Sequence, residues 1–141
     1  MKVFVIHARR TGYGVIRCLK EQKDIQIYVA DVEVTPVFHS KYISQSYLIS
    51  DITKVSEEVF LKEMIALAHR INYKNEKPIV YTGKDDYLIF FSKHYAILSE
   101  YYQLSFETNF VKLKRALSKF ELIDCAKKAK VRIPQTFTHK N

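Results

Sequence analysis

Lys2-Val3-Phe4-Val5-Ile6-His7 and Ile25-Gln26-Ile27-Tyr28-Val29-Ala30-Asp31, with one amphipathic stretch between them, decide the fold of this chain. The first run scarcely alternates and is rich in Val, Ile and Phe, which marks a strand buried on both faces. A short loop, Ala8–Gly12, is expected to lead into a helix through Val15, Ile16, Cys18 and Leu19. Arg17, Lys20 and Glu21 then face solvent. The second run is another strand, ending at Ala30-Asp31. Strand, helix and strand in about thirty residues make a βαβ unit, whose crossover is right-handed.

Outward from that unit the pattern continues. Val34–Ser50 is less regular, with Pro36, a Ser40-Lys41-Tyr42 segment and a short strand at Gln45–Ile49. Ser56 is a natural cap for a long helix whose first turn carries Glu57 and Glu58, where the helix dipole favours anions. Leu61, Met64, Ile65, Ala68 and Ile71 recur at helical spacing and form its expected buried stripe. Pro78-Ile79-Val80-Tyr81 is the next strand, and Thr82-Gly83-Lys84-Asp85-Asp86 turns it into a helix through Tyr87–Lys93. His94–Tyr102 continues helically after a bend, and Asn109–Ala116 and Lys119–Lys130 are two further helices. Strands alternating with helices predict an α/β fold with a mainly parallel sheet.

Composition narrows the class. A chain of 141 residues with 48% hydrophobic residues and only three Gly and three Pro suits one packed domain rather than a disordered chain. Its two cysteines lack CxxC spacing and are expected to be reduced core thiols on apolar helical stripes, in a cytoplasmic protein. Val3–Ile6 is too short for a signal peptide or a membrane span, so no membrane partner is expected. The net charge of +8 is concentrated: residues 1–108 hold 14 Lys/Arg against 13 Asp/Glu, residues 109–141 hold 9 against 2. Such a basic end can meet phosphates or simply be solvated. No ribonucleoprotein motif, zinc-finger spacing or basic zipper accompanies it, and nucleic acid is not the expected partner.

Several constellations carry possible chemistry. Gly12-Tyr13-Gly14 opens the first helix and is half of the dinucleotide fingerprint, with Asp31 where a ribose-binding acid would stand. Arg17 occupies the position of its third glycine, and a plain tight turn is the competing reading. Asp85-Asp86 start a helix, where N-cap and first-turn roles compete with a catalytic pair. Ser118 and Glu121 fit the capping box S-x-x-E, which places Lys119 at a helix start, against the dipole. The five histidines show no metal-ligand spacing, and no Ser–His or Cys–His arrangement stands out, so no catalytic or metal residue is assigned.

Taken in order, these segments resemble a known family. They are the Gly-Tyr-Gly-Val-Ile-Arg helix, Ile-Tyr-Val-Ala-Asp, Ser40-Lys41-Tyr42, Phe60-Leu61, Pro78 to Asp86, Ser118-Lys119 and Ile133-Pro134-Gln135-Thr136. The family is the N-terminal, pre-ATP-grasp domain of ATP-grasp ligases, close to the carbamoyl-phosphate-synthase-like and carboxylate–amine ligase members. The resemblance implies a Rossmann-like three-layer domain over 1–116, with 117–141 leading into an ATP-grasp domain on the same polypeptide or a split subunit. It implies activation of a small carboxylate as an acyl phosphate for attack by an amine, with ATP and Mg2+ bound in the complete enzyme. Neither is expected to bind tightly to this chain alone, which is expected to be inactive.

The family's ATP-contacting lysine falls on Lys119, with Ser118 in place of an Asp and Lys130 where a Gly is usual. The loop Arg9, Arg10, Thr11 and Gly12 is the expected binding segment for the anionic substrate. Two arginines offer forked donors there, and the glycines let a backbone come close. Asp31, Lys41 and Asp85 are its expected neighbours. A homodimer stays open, as do two other classes: a stand-alone Rossmann-like nucleotide-binding or regulatory module, and a nucleic-acid module using the basic end.

Overall fold

Val3, Phe4, Val5 and Ile6 are all but excluded from solvent, and they form the middle of a sheet. The computed structural model describes residues 1–22 and 24–135. Thr136 of the Ile133–Thr136 segment lies outside them. Five strands, β1 (Lys2–Ile6), β2 (Gln26–Asp31), β3 (Gln45–Leu48), β4 (Ile79–Thr82) and β5 (Gln103–Leu104), pair in the order β3-β2-β1-β4-β5. Every pairing is parallel; Phe4 stands between Tyr28 of β2 and Val80 of β4.

The pleat divides β1 between two cores. Val3 and Val5 join Ile27, Val29 and Ile16 of α1 (Arg10–Leu19) on one face. Phe4 and Ile6 point to the other face. There they meet α2 (Glu57–Arg70), α3 (Asp85–Lys93) and α4 (Tyr95–Leu98) through Phe60, Met64, Tyr87, Phe91 and Leu98. Helices on both faces of a parallel sheet make a three-layer, Rossmann-like architecture, the parallel α/β sheet being what the alternation of strands and helices predicts and the three layers what the resemblance implies. Rings knit the second core: Phe60 meets Phe90 edge-on at 4.9 Å, and Phe4 stacks on Tyr102 at 5.7 Å. Full burial of each such side chain is worth about 1.5–3 kcal/mol.

Polar groups inside this frame are placed rather than tolerated. Lys2 is buried, yet its ammonium donates to the carbonyls of Ile71 (2.8 Å) and Asn72 (2.7 Å), satisfying the C-terminal end of α2. Ser56 caps the start of that helix by accepting from the Val59 N–H, as expected. The buried stripe of α2 is centred on Phe60, Met64, Leu67, Ala68 and Ile71, whereas Leu61 and Ile65 are only half-buried at its margin.

Beyond β5, α5 (Phe110–Leu117) packs on α3 and buries Leu113, and α6 (Lys119–Lys128) packs on α5. No residue of α6 is buried. Its N-cap is Ser118, which accepts from the Glu121 N–H at 3.4 Å. The Glu121 carboxylate does not complete the capping box; it binds the Arg115 guanidinium instead, at 3.1 Å. Ala129 and Lys130 end the helix with two bonds, Lys130 N–H to Lys127 O and Val131 N–H to Ala126 O. Lys130 takes φ 55°, so a lysine occupies the left-handed position that glycine usually fills in this motif.

Both cysteines correct the core-thiol expectation, because each is exposed. Cys18 lies two residues from the buried Ile16, on the far side of α1, and Cys125 sits on a helix that buries nothing. Among the described residues no helix is long and apolar enough to cross a membrane.

Candidate functional site

The connections of this sheet run one way from β1 to β2 and the other way from β3 to β4, so the carboxyl ends of β1 and β4 flank the switch point where open α/β sheets bind ligands. The chain leaves β1 through His7, which takes φ 58°. Its N–H donates to Ala30 O, and the Gly83 N–H donates to Ile6 O, tying β1 to both neighbours at this edge. Gly83 lies so close that a β-carbon there would collide with the His7 carbonyl oxygen.

The helix after β1 begins earlier than expected. Arg10, Thr11 and Gly12 are its first turn, not a loop, and only Ala8 and Arg9 remain of the expected connection. Arg9 is the N-cap but gives no side-chain cap, and the first turn holds no acid. The first N–H groups of α1 are therefore open to an anion. Gly12 serves packing: a β-carbon there would meet Val5 Cγ1 at 3.0 Å and Ala8 Cβ at 3.3 Å. It does for helix and strand what the fingerprint's third glycine would do, while Gly14 faces open space.

Asp31 ends β2 with no exposure at all. Its Oδ1 accepts from the Val32 N–H at 2.8 Å and from Arg9 Nη2 at 3.4 Å, while Oδ2 has no hydrogen-bond partner among the described residues. His7 Nδ1 is 3.9 Å from Oδ1. Arg9 also pairs with Glu33 at 2.7 Å. The hydrogen bond to Asp31, then the charges of Asp31 and Glu33, push the Arg9 pKa up further. Arg9 is thus committed to two acids, whereas Arg10 beside it makes no ion pair among the described residues. Behind them Tyr87 is buried, and that burial, with the charges of Asp31, Asp51 and Asp86, pushes its phenol up to about 12.

A cleft of about 490 Å³ opens beside the start of α1, lined by Arg9, Arg10, Tyr13, Glu33, Thr35 and Ser40 over a floor of Ala8, Pro36 and Val37. Thr35 stands before a 3₁₀ turn, Pro36–His39, in the position of its cap, yet its hydroxyl does not cap it. Thr35 is nine-tenths buried and its Oγ1 has no partner among the described residues.

The structure therefore gathers Arg9, Arg10, Gly12 and Asp31 at one end of the sheet. Thr11 is exposed in the same turn but does not line the cleft. Lys41 holds its ammonium 5.4 Å from the Tyr42 ring and does not line it either. Asp85 and Asp86 occupy the first turn of α3, whose N-cap is Lys84, so neither is the cap; Asp86 pairs with Lys84. Lys119 is the first residue of α6 and exposed. Glu33, Thr35 and His7 were not among the expected site residues. In sequence Glu33 is marked only by its place two residues past Asp31, and Thr35, before Pro36, by nothing that separates it from an ordinary turn.

This arrangement suits anion binding. Among the described residues no three His, Cys, Asp or Glu side chains are grouped to hold a metal ion. In comparisons with protein-family models and with curated proteins, the chain matches none.

Proposed function

We propose that this chain is the substrate-side, pre-ATP-grasp domain of an ATP-dependent ligase. In that reaction a carboxylate is activated as an acyl phosphate and an amine attacks it, while ATP with magnesium supplies the phosphoryl group. The observation that carries this reading is α6. It is a capped helix with a lysine at its first position, it packs on the edge of the fold against α5, and it leaves Phe120 70% and Leu122 53% exposed. An apolar and basic helix that contributes nothing to its own domain's core suits a surface on which a partner domain closes.

On this reading Lys119 meets nucleotide phosphate. A cation at a helix start opposes the dipole, and a phosphate bound there would reverse the sign of that penalty. The remaining ATP contacts and the magnesium ligands belong to the ATP-grasp domains, in the same polypeptide or a second subunit. The cleft at the start of α1 takes the anionic substrate, with Arg10 as its unpaired cation.

The test uses the protein assembled with a segment or subunit carrying a glycine-rich phosphate loop. Losing one charge-assisted hydrogen bond costs about 1.5–3 kcal/mol, so Lys119→Ala weakens ATP binding at least about ten-fold. Unchanged ATP affinity in that assembly returns Lys119 to the solvated surface and overturns the assignment.

A further inference from the structure

We infer that the outer edge of β3 pairs with β3 of a second copy of this chain, antiparallel across a twofold axis, so that two five-stranded sheets join into one. The inference does not rest on the ligase reading.

β3 closes one side of the sheet, and its inner bonds fix which of its groups point outward. The Gln26 N–H donates to Met1 O and the His7 N–H to Ala30 O, so Gln26, Tyr28 and Ala30 turn their backbone groups to β1. Ile27, Val29 and Asp31 therefore turn theirs to β3. The Ile49 N–H donates to Asp31 O at 3.0 Å, and counting back by two puts Tyr47 and Gln45 on the β2 side as well. Ser44, before the strand, also gives its N–H to Ile27 O. The N–H and C=O groups of Ser46 and Leu48 are left on the outer edge, and no strand among the described residues pairs with them.

Exposed edges are usually guarded by a lysine, a proline or a bulge. β3 has none of these: it reads Gln-Ser-Tyr-Leu in unbroken register with β2, and Leu48 is 58% exposed. Charge then names the occupant. At +8 two copies repel each other, most strongly through the basic α5 and α6. From Tyr42 to Ser50 the chain carries no charge, with Lys41 at one end of the run and Asp51 at the other. Antiparallel pairing brings the Lys41 end of each copy to the Asp51 end of the other, whereas parallel pairing sets like ends together. Lys54 stands 3.6 Å from Asp51 but is 80% exposed, so it does not close that carboxylate off.

The outward groups also choose the register. With Ser46 opposite Leu48 of the second copy, the pair exchanges both of its N–H···O bonds and the twofold axis repeats the exchange. Ser46 opposite its own copy gives half as many bonds within the strand. Tyr47 packs into the core on the α2 face, so Leu48 lies on the α1 face. There the two Leu48 side chains become diagonal neighbours and cover each other. Arg70, its guanidinium 4.7 Å from the Tyr47 ring, brings like charge toward the axis. A strand this short buries less than a standard interface, and the dimer is weak.

The experiment is sedimentation equilibrium of the 141-residue chain from about 10 μM to about 1 mM, with amide hydrogen exchange read by NMR at both ends of that range. A monomer–dimer equilibrium is expected. The amides of Ser46 and Leu48 are expected to exchange more slowly at the higher concentration, while those of Gln45 and Tyr47, turned to β2, keep their rates. Leu48→Lys, at a position exposed enough to accept it, is expected to weaken the dimer at least about ten-fold. Lys41→Glu is expected to weaken it several-fold, and the further change Asp51→Lys to restore it. Phe120→Ser on α6 is expected to leave it unchanged. A chain still monomeric at about 1 mM overturns the inference, and so does a dimer that survives Leu48→Lys. Failure of Asp51→Lys to rescue Lys41→Glu overturns the antiparallel arrangement. A dimer lost in Phe120→Ser, with Ser46 and Leu48 exchange indifferent to concentration, assigns association to α6 and overturns the β3 edge. The Lys119→Ala result decides the ligase reading separately.

Discussion

At position 83 the backbone passes so near the His7 carbonyl oxygen that no side chain fits, although its φ is one that any residue could adopt. The demand for glycine is therefore steric, not conformational. The obstacle is backbone at the end of the central strand, which cannot swing away as a side-chain tip would. Gly83→Ala is expected to destabilise the fold by at least about 2–3 kcal/mol, read as a lowered midpoint in urea unfolding. A midpoint within error of the parent would show that the β1 and β4 ends separate freely. Arg9 and Arg10 illustrate the limits of reading at this scale. They are adjacent and alike in sequence, but Asp31 and Glu33 claim only the first. Nothing local distinguishes them, since the acids arrive from the end of β2 and the loop after it, more than twenty residues away. Thr35 was equally hidden, because a buried polar residue before a proline reads as an ordinary turn.

Among the elements, β1, β2 and β4 were legible because continuous apolar runs have one reading in a sheet covered on both faces. β5 was not, since a two-residue strand carries no periodicity, and the helix expected through Tyr102 in fact stops at Leu98, just before it. The start of α1 was missed for a different reason: Arg9-Arg10-Thr11 offers no N-capping side chain, so the usual marker of a helix start is absent. At the far end of the chain the markers were present. Ser118 caps α6 as its sequence suggests, and Lys130 adopts the left-handed turn in spite of its side chain. A β-carbon in that conformation costs about 1–2 kcal/mol, only partly offset by the greater freedom glycine loses on folding. Lys130→Gly is therefore expected to stabilise α6 locally by roughly 0.5–1 kcal/mol. Slower amide hydrogen exchange across Glu121–Lys128 would register it, and faster exchange there would mean that the turn draws support from the lysine side chain.

For the molecule as a whole, tyrosine sets a limit on the alkaline side. Tyr87 is raised to about 12 and Tyr102 still further, in both cases chiefly by burial, from an ordinary value of 10.0. Both are buried, and the Tyr102 hydroxyl donates to Met64 O at 2.6 Å. A group whose folded pKa lies above its unfolded value contributes stability that is whole below the unfolded pKa. That contribution is lost as pH climbs through the interval above it. Unfolding free energy is thus expected to hold up to about pH 10 and then decline toward pH 12, with a shallower decline in Tyr102→Phe. Urea titrations at several alkaline pH values check this, and identical slopes for parent and variant would refute the part assigned to Tyr102.

The central strand of the sheet is also the first of its five strands to be made, and its two partners are made at very different times. β2 follows within the next two dozen residues, but β4 ends only at Thr82, about thirty residues after β3 is complete. At roughly 5–20 residues per second, that is a few seconds during which the nascent chain carries half a sheet with one edge of β1 open. The exposed run Val3-Phe4-Val5-Ile6 is apolar, uncharged and strand-forming, the kind of segment that pairs with a neighbour's copy of itself. During translation, then, the interval before β4 is made is the one in which the edge of β1 is open to pairing with another chain.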